Sequence, residues 1–276
     1  MQVSESLSLP KFSKGDYTIA ELLLESKKLD LNSKASNMNS DIYYYKGINN
    51  KVYGIKAIKT KVSEYQKEFV KTDIACSELY FLKCLSKKSD LFPVLIDYQF
   101  HENRLLILSE WIQGITLTEY IKSEPSNNDF QSIIFQVLFS LEMLYLNFGI
   151  IHGDLHSDNI LLKLIPRDSR YLEYSLSGNK YYTENTGYIP VVWDFGFSRQ
   201  ISSDGNTFMY QNLFKYINYA QEESVEDHLK LLNSLRHLGA RFSNYLYYCI
   251  RRLFTTEFDI VFEKNKVFKP NSKRIN

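Results

Sequence analysis

Cysteine is scarce. Three occur in 276 residues, Cys76, Cys84 and Cys249. They cannot all pair within one chain, and none stands in a Cys-x-x-Cys spacing with histidines, so a disulfide-built scaffold is excluded. Reduced thiols in a cytoplasmic compartment are the expectation. Neither sign of charge is in excess: the formal net charge is +1, which gives no electrostatic ground for partnership with nucleic acid or an acidic membrane surface. The lysine-rich stretch 56–67 is a solvated face on this reading. No run of about 18 apolar residues occurs, so no membrane span is expected. Residues 1–16, rich in Ser and Lys, lack the apolar core of a signal peptide. Glycine (11) and proline (6) are few while tyrosine reaches 21, a bias that follows the base composition of a genome more than a fold. There is no internal repeat, and nothing bears on oligomeric state.

What is present is ordinary globular material. Hydrophobic residues make up 44% and charged residues 24%, enough to bury one or two cores. Residues 19–24 form a short helix within a mostly polar stretch. Two apolar-alternating segments, 42–46 and 52–58, flank Asn49-Asn50 and predict a β-hairpin. Ile74, Leu79, Leu82 and Leu85 recur at helical spacing, which predicts a helix over 63–85 with Ser63 and Gln66 as its capping box. Strands follow at 94–100 and 104–108 around His101-Glu-Asn. A break at Gln113-Gly114 ends this sheet-rich part, with a hinge near 110–116. From Leu117 the period becomes helical. Residues 130–148 predict a buried helix capped by Asn127-Asn128-Asp129. Short strands are expected at 160–164 and 189–193, a polar, Tyr-rich insertion between them at about 165–188, and helices at 226–242 and 245–253.

The chemistry concentrates in two segments. One is His152-Gly-Asp-Leu-His-Ser-Asp-Asn159-Ile-Leu; the other is Val191-Val-Trp-Asp194-Phe-Gly196. Asp154 can orient an attacking hydroxyl. The amide oxygen of Asn159 and the carboxylate of Asp194 are hard oxygen ligands of the kind that hold a divalent metal on phosphates, where charge develops during transfer.

On these residues the sequence resembles the protein-kinase superfamily, whose catalytic and metal loops read His-Arg-Asp-Leu-x-x-x-Asn and Asp-Phe-Gly. The upstream parts match in order. Tyr53-Gly-Ile-Lys56 is similar to the Val-Ala-Ile-Lys strand, which implies Lys56 on the phosphates and Gly54 beneath the adenine; Lys59 is a rival on the other strand face. Glu78 resembles the helix glutamate that pairs with that lysine. Leu106-Ile-Leu-Ser109-Glu110-Trp-Ile112 resembles the passage into the hinge, with Ser109 as gatekeeper and the backbones of Glu110 and Ile112 on the adenine edge. Ile42 closes the nucleotide site, and Ala35, Asn37 and Ser40 stand where a phosphate-covering loop belongs. Asp227 resembles a buried aspartate that braces the catalytic loop, with an ordinary helix-start acid as the competing reading.

The resemblance covers about residues 35–240. It implies an α+β, two-lobed fold: an extension at 1–34, a lobe at 35–112 with an antiparallel sheet and one helix, and a reduced, mainly helical lobe at 113–276. It implies ATP and Mg²⁺ or Mn²⁺ as cofactors, Asp154, Lys56 and Glu78 as catalytic, Asn159 and Asp194 as metal ligands, and a protein hydroxyl as acceptor. Some positions depart from the pattern. The phosphate loop has no glycine, the motif's arginine is Gly153, and His156 stands where serine/threonine kinases carry lysine. No Ala-Pro-Glu follows Asp194. The departures resemble haspin-like or large-DNA-virus serine/threonine kinases; a cytoplasmic place is expected, which for a viral protein means the host cytoplasm or the virion. Two other readings stay open: a small-molecule phosphotransferase of the aminoglycoside or choline type, suggested by His-Gly-Asp-Leu-His, and an inert kinase-like binding module.

Overall fold

The computed structural model describes residues 18–28, 40–47, 50–61, 73–176 and 178–200, together with Asp227, Lys230, Leu231, Ser234 and Leu235. The chain divides into two units. The first runs to Gln113 and takes in Trp193–Ser198; the second holds Gly114–Val192 and the described residues after Ser198.

The first unit is a five-stranded antiparallel sheet of β1 (Lys27–Lys28), β2 (Ser40–Lys46), β3 (Val52–Lys59), β4 (Leu95–His101) and β5 (Arg104–Glu110), in the order β1-β2-β3-β5-β4. Helix α1 (Ile19–Glu25) opens it. Thr18 caps α1 and Glu21 returns a bond to the Thr18 N–H, a reciprocal box that satisfies two otherwise orphaned donors. Strand β1 (Lys27–Lys28) joins the sheet edge, opposite Tyr43 and Tyr44. The segment expected to lie outside the sheet lobe thus contributes a helix and a strand to it. Ile19 and Leu22 bury against Ile55, Ala57, Leu106 and Leu108, each burial contributing about 1.5–3 kcal/mol.

The expected hairpin forms from β2 (Ser40–Lys46) and β3 (Val52–Lys59). Helix α2 (Ile74–Leu85) starts later than its periodicity suggested. Asp73 is extended (φ −99°, ψ 121°) and accepts from the Ala75 and Cys76 N–H groups. An extended residue cannot lie inside a helix, so a single helix over 63–85 is excluded. Ser63 and Gln66 lie outside the described residues. Strands β4 (Leu95–His101) and β5 (Arg104–Glu110) complete the sheet, their turn taking Glu102 into the left-handed region.

The second unit begins with β6 (Gly114–Thr116) and α3 (Leu117–Lys122), the latter capped by a Thr116–Glu119 box. Gly114 is required there: a Cβ would overlap the Leu162 carbonyl. Helix α4 (Asn127–Phe148) is capped by Ser126 and ends at Gly149 in the left-handed conformation. Asn127, Asn128 and Asp129 therefore form its first turn rather than its cap. By length and composition α4 could cross a membrane, contrary to the expectation from the sequence; 61% of its most apolar stretch is buried within the fold, as in a core helix.

After α4 come β7 (Ile150–Ile151), the catalytic-type loop with a turn at Ser157–Asn159, and β8 (Ile160–Leu164). The insertion is a hairpin, β9 (Tyr171–Leu176) on β10 (Asn179–Glu184). Its inner face lies on α4, where the Tyr174 ring meets Phe139 at a tilt, centroids 4.9 Å apart, and its hydroxyl donates to Gln136 Oε1 at 2.7 Å. Strand β11 (Tyr188–Val192) pairs with β8, and β12 (Arg199–Gln200) pairs with β7. Residues 227, 230, 231, 234 and 235 are helical; the rest of the helices expected at 226–242 and 245–253 lie outside the described residues.

Candidate active site

In the first unit β3 supplies a lysine and α2 a glutamate. Strand alternation sends Lys56 to one face and leaves Lys59 exposed. Lys56 Nζ lies 3.1 Å from Glu78 Oε1 and 2.6 Å from Asp194 Oδ1, with its side chain 13% exposed. Lys56, Glu78 and Asp194 are thus brought together, and the Lys59 alternative is not supported.

Asp194 reaches the lysine from a turn with left-handed backbone, φ 68° and ψ 67°. The turn Phe195–Phe197 packs on α2. Phe195 is fully buried and meets Phe92 edge-on at 6.3 Å. Gly196 allows the approach, since a Cβ would strike the Ile74 side chain. Sequence reasoning missed one neighbour: the Trp193 ring lies 5.4 Å from Lys56 Nζ, a cation–π contact that no spacing rule could expose.

The electrostatics are unbalanced, with two carboxylates facing one ammonium. Burial pushes Glu78 up to about 7; the Asp194 charge adds to this and Lys56 opposes it. Burial pulls Lys56 down, but Asp194 and Glu78 outweigh it and hold the ammonium above its ordinary value.

In the second unit the loop after β7 carries Asp154 and Asn159. His152 is fully buried; its N–H donates to Asp227 Oδ2 at 2.6 Å, and the Gly153 N–H donates to Asp227 Oδ1 at 2.9 Å. Asp227 thus braces this loop, and the helix-start reading alone does not account for it. The Asp154 N–H donates to His152 Nδ1 at 3.3 Å. Asn159 Nδ2 donates to the Asp154 carbonyl at 2.9 Å, which leaves its amide oxygen as the atom that can take a metal. An amide oxygen, like that of Asn159, and a carboxylate, like that of Asp194 in the first unit, are each a donor of the kind that a hard cation such as Mg²⁺ takes.

The remaining candidates lie along the sheet. Ser40 and Ile42 stand on β2 opposite Ile58 and Lys56. Gly54 pairs with Ser109, and a Cβ at 54 would make ordinary contact with Ser109 Oγ at 3.5 Å and the Trp111 ring at 3.6 Å. The Glu110 N–H donates to the Val94 carbonyl at 3.0 Å and the Trp111 N–H to the Val52 carbonyl at 3.3 Å. A ligand edge at Glu110 must therefore use its carbonyl. Ile112 stands two residues after the end of β5, half-buried. Ala35 and Asn37 lie outside the described residues.

The sequence model of the protein kinase domain matches residues 41–230, well over half of the chain. A protein named a probable kinase in Invertebrate iridescent virus 3 is 37% identical over 114 residues, which cover 41% of this chain and 21% of that protein. A probable serine/threonine-protein kinase of Invertebrate iridescent virus 6 is 38% identical over 68 residues, covering 24% and 13%. One from Dictyostelium discoideum is 32% identical over 111 residues, covering 38% and 9%. The chain thus spans about a fifth or less of these relatives' length.

Proposed function

The chain belongs to the protein kinase domain family, and from that premise we propose that it is an ATP-dependent serine/threonine protein kinase. The observation that carries this reading is the buried Lys56 held by Glu78 and Asp194 at 3.1 Å and 2.6 Å. A cation, its helix anchor and the Asp-Phe-Gly aspartate in one cluster form an arrangement suited to phosphoryl transfer. The serine/threonine preference draws on relatives that carry that name and on the Asp194-Phe-Gly-Phe-Ser form of the metal loop.

Lys56 holds the phosphates of ATP while Glu78 keeps its ammonium in place. Gly54, Ile42 and the backbone of Glu110 and Ile112 take the adenine. Ser40, with Ala35 and Asn37, lines the phosphates. Asn159 and Asp194 would each supply an oxygen to Mg²⁺ or Mn²⁺, which would neutralise charge on the transferring group. Asp154 orients the acceptor hydroxyl on a protein substrate and accepts its proton. A cytoplasmic setting, in a host cell or a virion, belongs to the same proposal.

The test offers purified protein labelled ATP, generic protein acceptors and aminoglycoside or choline acceptors, with and without Mg²⁺ or Mn²⁺. Metal-dependent label on protein serine or threonine is expected. Label on the small acceptors alone would assign a small-molecule phosphotransferase; nucleotide binding without any transfer would assign a binding module.

A further inference from the structure

The loop that carries Asp154 is held by more than Asp227. Gly153 is buried and left-handed, φ 80°, a conformation that strains any L side chain. Its two peptide groups are both taken by side chains of one helix. The N–H donates to Asp227 Oδ1 at 2.9 Å, and the carbonyl accepts from Lys230 Nζ. A buried carbonyl needs such a partner, and a charged donor makes the stronger bond.

One helical turn further on, Ser234 Oγ accepts the Ser157 N–H at 2.9 Å and lies 2.9 Å from Ser157 Oγ. Ser157 Oγ lies in turn 2.7 Å from Thr118 Oγ1 at the start of α3. Residues 227, 230 and 234 share one helix face by spacing, and Leu231 and Leu235 on the neighbouring face are fully buried. That face therefore grips the loop at 152–153 and again at 157, and Asp154 lies between the grips. Where the resembled motif places a cation within the loop, here a cation reaches it from the helix.

We propose that Lys230 and Ser234 are positioning residues that hold the Asp154 loop by its backbone, Lys230 through the Gly153 carbonyl and Ser234 through the Ser157 N–H. The proposal rests on reading Asp154 as the carboxylate that orients the acceptor. It has two consequences. The backbone from 152 to 158 is quieter with both side chains than without them. Losing either lowers turnover more than nucleotide affinity, since a shift of about 1 Å in a positioned group costs about a hundredfold.

The experiment compares wild type, Lys230→Met, Lys230→Arg and Ser234→Ala by amide hydrogen exchange and by kinetics of transfer to a protein acceptor. Lys230→Met should speed exchange about tenfold in a peptide covering 152–158, with peptides from β2 and β3 unchanged. Its kcat should fall about ten- to a hundredfold while the KM for ATP stays within about twofold. Lys230→Arg, which restores a charged donor, should recover both readouts in large part. Ser234→Ala should have smaller effects of the same kind.

Unchanged exchange at 152–158 overturns the proposal whatever the activity, because that readout needs no catalysis. Faster exchange with unaltered kcat overturns the positioning role, and uniformly faster exchange reduces both residues to general stability. Failure of the kinase reading is recognised separately: wild type then transfers no phosphate to any acceptor, and the catalytic part of the proposal falls with it.

Discussion

Glu78→Gln isolates the unbalanced charge around Lys56. Glu78 is 2% exposed, and its carboxyl is pushed up from an ordinary 4.5 to about 7, chiefly by burial. A raised acid binds its proton more tightly in the folded state than in the unfolded one. Its favourable contribution is therefore complete below the unfolded pKa of 4.5 and is lost as pH rises through the folded value of about 7. Each pKa unit corresponds to about 1.4 kcal/mol, so the whole effect is roughly 3 kcal/mol. Most of it, roughly 2–3 kcal/mol, falls between about pH 5 and about pH 8. Glutamine has no proton to lose. Urea unfolding of wild type and Glu78→Gln at those two pH values should show wild type losing that amount relative to the variant. A difference that stays constant with pH, or one in which wild type gains on the variant, would refute the charge argument. It would mean that Glu78 is ionised and fully compensated by Lys56 at both pH values.

Lys56→Met should cut phosphoryl transfer far more than Lys59→Met, since Lys59 is exposed and Lys56 alone of the two meets Glu78 and Asp194; equal losses in a transfer assay would put the β3 register in doubt. Asp194→Asn should lower kcat about a hundredfold or more, while the urea midpoint holds or rises because one of two carboxylates facing a single lysine has gone; wild-type turnover would exclude Asp194 as a metal ligand. Leu22→Ala should cost about 2–4 kcal/mol by opening the apolar layer under α1, and a loss under about 1 kcal/mol by urea unfolding would mean that α1 does not seal this face. Phosphatase treatment should leave transfer to an added substrate unchanged, because Gly153 replaces the arginine that would receive a phosphate and Arg199 is 5% exposed. A large loss that autophosphorylation restores, except when Ser202, Ser203 and Thr207 (which lie outside the described residues) are replaced by alanine, would overturn constitutive activity.

How much of this was legible in the sequence depends on the range of the forces involved. The hairpin of β2 and β3 was legible because period-two alternation and an Asn-Asn turn are local signals. Lys56 followed from the same alternation, which separates it from Lys59. The start of α2 was not legible. Ser63 and Gln66 satisfy a capping rule in isolation, yet Asp73 accepts from the Ala75 and Cys76 N–H groups, from the Lys61 N–H and from Thr60 Oγ1 at 2.8 Å. That last contact ties the helix start to the end of β3, and its value lies in the tertiary partner. The insertion was legible only as polar and Tyr-rich. Its strands form a sheet because Tyr174 and Tyr181 find Phe135 and Phe139 on α4, a surface more than thirty residues away along the chain.

The loop around Asp154 divides along the same line. Asp154 and Asn159 were legible as a pair because their spacing is short and local: it lets Asn159 Nδ2 reach back to the Asp154 carbonyl, which leaves the amide oxygen uncommitted by that bond. Gly153 was legible as a departure from a motif but not as a geometry, since a glycine in sequence does not disclose a φ of 80°. That geometry turns both peptide groups of Gly153 toward a helix some seventy residues downstream. A side chain recruited from that distance has no local signature, so Lys230 and Ser234 read in the sequence as ordinary helix-surface residues. The carboxylates to which the proposal gives the chemistry can therefore be read from a short motif, while the side chains that bond their loop emerge only once the chain has folded.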